Sequence, residues 1–226
     1  MVEPRVLEVV KGKDGLIVFF HKEGSKRWVV RQGGELGKFN VVKEEEGKEI
    51  GKLEVSLLSM GIRNSDELLA LLSVYPNKLV KVVLGEDIPV NGVLIRNSIP
   101  KEDGDGDLKP LLVIRKYWKG FEMVVDDGDI GNYTFYIEHN VDNPNTYVLK
   151  ILSFLIQCTE TIEYSKVNAS NICGLLMNIA LYPEKYYNMV TGDEKRIENV
   201  LIIDYNETPD SDFPYCKFSE NLKLNP

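Results

Sequence analysis

The sequence predicts an α+β protein. A β-rich N-terminal half, built as a small barrel or a curled antiparallel sheet with one helix, is followed by a mainly helical C-terminal region. Short runs rich in Val, Ile, Phe and Trp recur through residues 5–58, with Gly-bearing connections between them. A leucine stripe with helical spacing follows at 68–75. From Pro144 the spacing of apolar residues changes from two to about 3.6.

The first 76 residues are predicted to contain five strands and one helix. The strands are predicted at 5–10, 16–20, 26–31, 38–42 and 53–58. Connections of about five residues between the first three are typical of a hairpin meander. Residues 43–49 are mostly charged and predict a solvated loop. Asn64 can cap the helix, Glu67 completes a capping box three residues later, and Pro76 ends the helix.

Further strands are predicted after that helix, and helices after the strands. The strands are predicted at 79–84, 90–96, 111–117, 121–126 and 133–139, with a polar loop over 101–110. Asn143 can then cap a strongly apolar helix that begins at Pro144. A second helix is predicted from about Asn168 to Tyr182, and a third, shorter helix is predicted to contain Tyr186, Tyr187 and Met189. A final strand is predicted at 200–203.

These elements divide the chain into four segments. Residues 1–60 form a small β-rich subdomain, 61–143 a mixed α/β sheet region, 144–205 a helical region with a final strand, and 206–226 an acidic-aromatic tail. The tail contains Phe213, Tyr215 and Phe218, which are suited to docking on a partner.

Charge is distributed unevenly along the chain. The whole sequence has 27 basic and 35 acidic residues, a net charge of −8. Residues 1–120 hold 20 basic and 18 acidic groups, whereas residues 121–226 hold 7 and 17. The two halves therefore carry +2 and −10, and we expect any contact with a polyanion to involve the first half.

The composition also indicates where the protein works. The sequence shows neither an apolar run long enough for a membrane helix nor a basic leader followed by an apolar one. We therefore expect an intracellular protein without membrane contact, in the cytoplasm or in a virion. Gln32 and Gln157 are its only glutamines, and this scarcity beside abundant Lys and Glu indicates a thermophilic source, archaeal or viral.

The cysteines and histidines exclude several kinds of site. Cys158, Cys173 and Cys216 have no CxxC spacing, which argues against a disulfide framework and a zinc knuckle. With only His21 and His139, zinc sites built on histidine pairs are nearly excluded. Walker A, GxGxxG, GxSxG and HExxH sequences do not occur. We therefore expect no resident cofactor.

Carboxylates on either side of the turn at 127–132 suggest a first alternative, a nuclease. Antiparallel pairing about this turn would bring Glu122 toward Glu138, and Mg²⁺ binds such oxygen ligands. The order of hairpin, acid and helix resembles the PD-(D/E)xK nuclease core. The resemblance implies an Mg²⁺-dependent nuclease whose metal ligands and catalytic residues are Glu122 and Glu138, with Lys150 supplying an amine. Asn140 stands where that family has lysine, and Glu122 where it has aspartate.

Basic and aromatic residues suggest a second alternative, a single-stranded nucleic-acid-binding module. One cluster consists of Lys26, Arg27, Trp28 and Arg31, and another of Arg115, Lys116 and Trp118. Cations with an interleaved aromatic ring can follow a phosphate backbone and stack on a base. Trp28 and Trp118 could equally belong to the core, with the cations outside it, because neighbouring strand residues point to opposite faces.

The leading expectation is a non-enzymatic interaction protein. It would be an accessory or structural subunit of a larger assembly, such as a nucleoprotein complex. We expect a protein partner, nucleic-acid contact only through residues 1–120, and Mg²⁺ only if the chain is a nuclease. This expectation rests on the few catalytic side chains, the unequal charge of the two halves and the aromatic tail.

Overall fold

The structure is a computed structural model that describes most of the N-terminal half and several separate stretches of the rest. The described residues are 5–13, 15–21, 25–96, 111–117, 120–126, 132–139, 146–155, 158–168, 176–191 and 194–204. In these residues the chain folds as one sheet with helices packed against it. The predicted α+β class is therefore confirmed, whereas a mainly helical C-terminal region is not.

The N-terminal strands form the predicted antiparallel meander. They are β1 (Arg5–Lys11), β2 (Gly15–Phe20), β3 (Lys26–Gln32), β4 (Lys38–Glu45) and β5 (Lys48–Ser56). Each pairs with the next along the chain. Leu16, Val18 and Phe20 are buried at alternate positions of β2, as a strand with one face on the core requires.

The predicted charged loop at 43–49 is wrong, because these residues belong to a hairpin. β4 continues to Glu45 and β5 begins at Lys48, so only Glu46 and Gly47 connect them. Both have positive φ, 50° and 76°, as a type I′ turn requires. The charged side chains are compatible with strands because β5 is mostly exposed.

The C-terminal half contributes strands where the sequence predicts a helix. A second antiparallel series consists of β7 (Leu111–Tyr117), β8 (Gly120–Asp126), β9 (Asn132–His139), β10 (Thr146–Leu155) and β11 (Cys158–Asn168). The helix predicted from Pro144 is therefore wrong over the described residues 146–155 and 158–168. A continuous apolar run fits a buried strand as well as a buried helix, and Thr, Ile, Val and Tyr in 158–168 favour the strand.

Two parallel pairs near the middle make the sheet mixed. β6 (Val90–Arg96) is parallel to β1, and β12 (Asn199–Asp204) lies between β6 and β7, parallel to β7. The strand order is β11-β10-β9-β8-β7-β12-β6-β1-β2-β3-β4-β5. The described strands thus form an open sheet ending at β5 and β11, and the small barrel is wrong. β1, β6 and β12 come from three different predicted segments, yet they lie side by side in one sheet. The predicted segment boundaries stay predictions.

Helical elements follow β5 and precede β12. They are a 3₁₀ turn at Leu58–Met60, α1 (Ser65–Val74), α2 (Pro76–Leu79), a π-helical turn at Val80–Leu84, α3 (residues 176–181) and α4 (Pro183–Thr191). The strand predicted at 79–84 is wrong, because Val80, Val83 and Leu84 are buried with helical spacing. α3 and α4 agree with the second and third predicted helices over the residues described, and β12 with the final strand.

Helix α1 begins at the predicted cap. Asn64 Oδ1 accepts a hydrogen bond from the Glu67 N–H at 2.9 Å. The Glu67 carboxylate accepts from the Arg63 backbone N–H at 2.6 Å and from its guanidinium at 2.7 Å. This hydrogen bonding raises the pKa of Arg63. In the predicted capping box, the Glu67 carboxylate would accept from the backbone N–H of Asn64. It accepts instead from the N–H of Arg63, one residue earlier in the chain.

The main core lies between one face of the sheet and the helices. It includes Leu7 and Val9 of β1 together with Leu68, Leu69 and Leu72 of α1. β1 has buried residues at four consecutive positions, so both of its faces are covered. Three buried apolar residues do not belong to the main core: Val10, Val29 and Leu94. Glu8 and Arg96 are buried as well, and both are charged residues outside that core. The second face thus carries a smaller buried layer that contains charge.

Candidate functional site

Strand β5 is an end strand of the sheet among the described residues, and most of it is exposed. Only β4 pairs with it in that part of the chain. Seven of its nine residues are exposed and the other two are half-buried. An edge of this kind presents backbone N–H and C=O groups to another strand. Main-chain hydrogen bonds to such an edge give affinity, and neighbouring side chains give specificity.

Large apolar side chains are exposed on β5 and beside it. Of the six exposed large apolar side chains among the described residues, four lie between residues 36 and 58: Leu36, Ile50, Leu53 and Leu58, which are 49–59% exposed. Leu36 and Leu58 border the same end of β5, because a Cβ at Gly37 would come within 2.8 Å of Leu58 Cβ. We call β5 together with Leu36 and Leu58 the β5 edge surface. Exposed apolar residues grouped in this way mark interaction sites more often than scattered ones do.

The register of β5 explains why its apolar side chains stay exposed. Leu53 lies opposite Val41 and shares the core face with it, whereas Lys52 and Glu54 occupy the other face. Val41 is buried but Leu53 is half exposed, and only Val55 of β5 packs partly against the core, so burial decreases from β4 to β5. Ile50 has no partner in β4, since the register shifts there. This bulge leaves 51–56 as the regular part of the strand.

A buried carboxylate lies in the charged layer on the second face. Glu8 is 3% exposed, its Oε2 is 2.8 Å from His21 Nδ1, and its Oε1 forms an ion pair with Arg96 Nε. The Arg96 contact is an ion pair without the geometry of a hydrogen bond. Asn199, opposite Arg96 in β12, is also buried. The cluster joins β1, β6 and the residue after β2, and we expect it to stabilise the fold.

A polar cleft of about 460 Å³ lies between the β1–β2 connection and the start of α1. Lys11, Lys13, Gln32 and Asp66 contribute to its wall. Burial lowers the pKa of Lys11, and the charge of Asp66 partly opposes this effect. Lys11 Nζ donates a hydrogen bond to the Leu181 carbonyl at 3.1 Å, in the last turn of α3. The amine therefore links the end of α3 to β1.

The structure separates the residues of the first predicted nucleic-acid cluster. Trp28 is 2% exposed and packs edge-to-face on Phe20, with ring centroids 5.8 Å apart. The ring belongs to the core, which argues against stacking on a base, and the nucleic-acid role of Trp28 stays a prediction. Arg27 Nε lies 2.6 Å from Glu44 Oε2. Lys26 Nζ lies 3.8 Å from Glu45 Oε1. Arg31 is exposed.

The second predicted nucleic-acid cluster is divided between buried and half-buried positions. Lys116 is buried, and its Nζ donates to the Val74 carbonyl at 3.4 Å, which argues against a phosphate contact there, and its nucleic-acid role stays a prediction. Arg115 is half-buried, and Trp118 lies outside the described residues. Binding of nucleic acid through Lys26, Arg27, Arg31 and Arg115 stays a prediction.

The residues of the nuclease hypothesis lie on three neighbouring strands. Glu122 of β8 pairs with Thr134, whereas Glu138 lies four residues further along β9. Four residues of a strand span about 13 Å, so Glu122 does not face Glu138 as the hypothesis requires. Lys150 lies in β10, opposite Tyr136, and not on a helix. Both structural premises of the resemblance are therefore wrong, and the catalytic and metal-binding roles stay predictions.

In the part of the chain that the structure describes, no group of three or more His, Cys, Asp or Glu side chains is placed to hold a metal ion. In that same part, no helix has the length and apolar character needed to cross a membrane. Comparison with family models, with curated proteins and with solved structures finds no match to this chain.

The β5 edge surface was not among the residues predicted from the sequence. Its signal was the alternation of Lys52, Leu53, Glu54 and Val55, which extends a strand backward into the charged segment. No local pattern tells whether a strand lies at the edge or the centre of a sheet. That position depends on pairing between distant segments of the chain.

Proposed function

We propose that the chain is a non-enzymatic interaction protein that docks on a protein partner through the β5 edge surface, as an accessory or structural subunit of a larger assembly. The observation that carries this proposal is the exposure of a nine-residue strand, which ends the sheet among the described residues, with two large apolar side chains, Ile50 and Leu53. A strand of this length can offer several backbone hydrogen bonds to a partner while its side chains select that partner.

The charges of β5 support a specific partner rather than indiscriminate strand addition. The exposed ionic residues of the strand alternate in sign along its length: Lys48, Glu49, Lys52 and Glu54. Charged residues on an edge discourage pairing with an arbitrary strand. A partner with complementary charges escapes this penalty, because opposite charges across an interface favour association and like charges oppose it.

Replacing Leu53 by aspartate is expected to reduce capture of the partner from an extract of the native source by at least about tenfold, a loss of roughly 1.4 kcal/mol of binding free energy. The reason is that an unpaired carboxylate would be buried at the interface. Tagged wild-type and variant chains should be compared by quantitative mass spectrometry of the captured proteins.

Val82→Asp is the matched control, because Val82 is an exposed apolar residue outside the β5 edge surface. A wild-type circular dichroism spectrum and a cooperative melting transition in both variants would show that neither has lost the fold. Capture at the wild-type level by Leu53→Asp would contradict docking at β5. Equal loss in both variants would show that added charge, and not the surface, determines capture.

A further inference from the structure

We propose that the partner of β5 is a second copy of this chain, paired antiparallel about a two-fold axis at Leu53. The inference rests on the proposed function and names the partner of that same surface. It follows from the order of charges in β5. A strand that pairs with a copy of itself about a two-fold axis brings one residue opposite itself and fixes every other pair.

Three of the five central positions in β5 are unfavourable because they bring like charges together. An axis at Lys52 or at Glu54 places that residue opposite itself. An axis at Ile50 places Lys48 of each copy opposite Lys52 of the other. Like charges directly opposite each other on adjacent strands destabilise the pair.

An axis at Leu53 brings complementary residues together at every neighbouring position. Leu53 meets Leu53, and Lys52 of each copy meets Glu54 of the other, so that symmetry forms this ion pair twice. Gly51 meets Val55, and nothing opposes a like charge. An axis at Gly51 also pairs Lys48 with Glu54, but it places Leu53 opposite Glu49 and Ile50 opposite Lys52. The Leu53 register is therefore favoured over the Gly51 register.

The geometry of β5 agrees with the Leu53 register. Residues 51–55 lie in its regular part, beyond the bulge at Ile50, so five consecutive positions of each copy can pair. Leu53 and Val55 share the core face, whereas Lys52 and Glu54 lie on the other face. The two leucines would thus extend the core across the axis while the ion pairs form on the opposite side. Leu53, which is half exposed, would be covered.

The experiment is size-exclusion chromatography with light scattering on the full chain, from about 1 to 100 μM, the range of a moderate interface. The wild type is expected to reach twice the monomer mass of 25.7 kDa. Lys52→Glu and Glu54→Lys should each remain monomeric, because each places like charges at both former ion pairs. An equimolar mixture of the two variants should form a heterodimer, and the double variant K52E/E54K should form a homodimer again.

Lys48→Glu distinguishes the two registers. It should leave the dimer intact under the Leu53 register, in which Lys48 has no ionic partner, and should disrupt it under the Gly51 register. Since Lys48, Lys52 and Glu54 are all exposed, the variants are expected to keep the wild-type fold, which their circular dichroism spectra would check. A monomeric wild type throughout the concentration range, or a dimer unaffected by Lys52→Glu, would overturn the inference.

The failure of this inference can be told from the failure of the proposed function. A monomeric wild type that still loses a different captured protein on Leu53→Asp would overturn the homodimer and leave docking through β5 in place. A dimer with the expected charge-reversal pattern, but with no other captured protein, would support the inference and contradict the role of accessory subunit.

Discussion

Replacing Glu8 by alanine is expected to lower the free energy of unfolding by about 3–5 kcal/mol, the cost of breaking a buried ion pair. Arg96 would keep its buried charge without the Glu8 carboxylate, and His21 would lose its acceptor at 2.8 Å. Urea denaturation of the wild type and the variant would give the difference. If the slope of the unfolding free energy against urea concentration is the same for both proteins, the same amount of surface is exposed on unfolding.

The double variant Glu8→Ala/Arg96→Met provides the decisive comparison. Removing both charges should recover part of the loss, because no uncompensated charge is left in the buried layer. Glu49→Ala is the matched control, since Glu49 is exposed on β5, and its effect should stay within about 0.5 kcal/mol. A loss below about 1 kcal/mol in Glu8→Ala would contradict the structural role of the cluster.

Replacing Trp28 by alanine is also expected to cost about 3–5 kcal/mol, the usual loss for a large aromatic residue deleted from a core. Its ring packs on Phe20, and Lys43 Nζ lies 5.2 Å from the ring centroid. The variant would lose both contacts and leave a cavity between β2, β3 and β4. Thermal and urea unfolding would measure the loss.

Trp28→Phe is the control for this prediction, because it keeps an aromatic ring in the core and should lose much less stability. The two roles considered for Trp28 predict different results. A core residue affects stability first, whereas a base-stacking residue affects binding of single-stranded nucleic acid first. Wild-type stability of Trp28→Ala together with weaker binding of a labelled oligonucleotide would contradict burial and restore the stacking hypothesis.

The sequence was most informative where local chemistry alone determines structure. Asn64 caps α1 as predicted, because a cap depends on an oxygen close to an N–H three residues later. The first three strands agree for a similar reason, since short Gly-bearing connections place consecutive strands side by side. In both cases the interacting residues are close in sequence.

The wrong predictions concern segments whose surroundings come from elsewhere in the chain. Residues 79–84 are rich in Val and Leu and suit a strand, yet helical turns there bury Val80 and Val83. Residues 146–155 are apolar enough for a helix, but lie between β9 and β11 in the sheet. Apolar composition predicts burial in both segments, whereas the type of element depends on neighbours distant in sequence.

The candidate site was harder to predict than the fold. Trp28 and Lys116 suggested nucleic-acid contact by residue type alone, and burial removes both from the surface. Leu53 was predicted only as part of a strand, and its half exposure follows from the position of that strand at the end of the described sheet. The exposure of each residue follows from the strand order, which no stretch of local sequence determines.

A photo-reactive phenylalanine analogue at Ile50 tests docking through β5 most directly, when it is activated in cells or extract of the native source. Tyr182 is the matched control position, because its side chain is 52% exposed and that of Ile50 is 51% exposed. Docking through β5 predicts a discrete protein adduct at position 50, with a second copy of the chain or with another protein, and none at position 182. No adduct at position 50, or equal adducts at both positions, would contradict the β5 edge surface as the docking site.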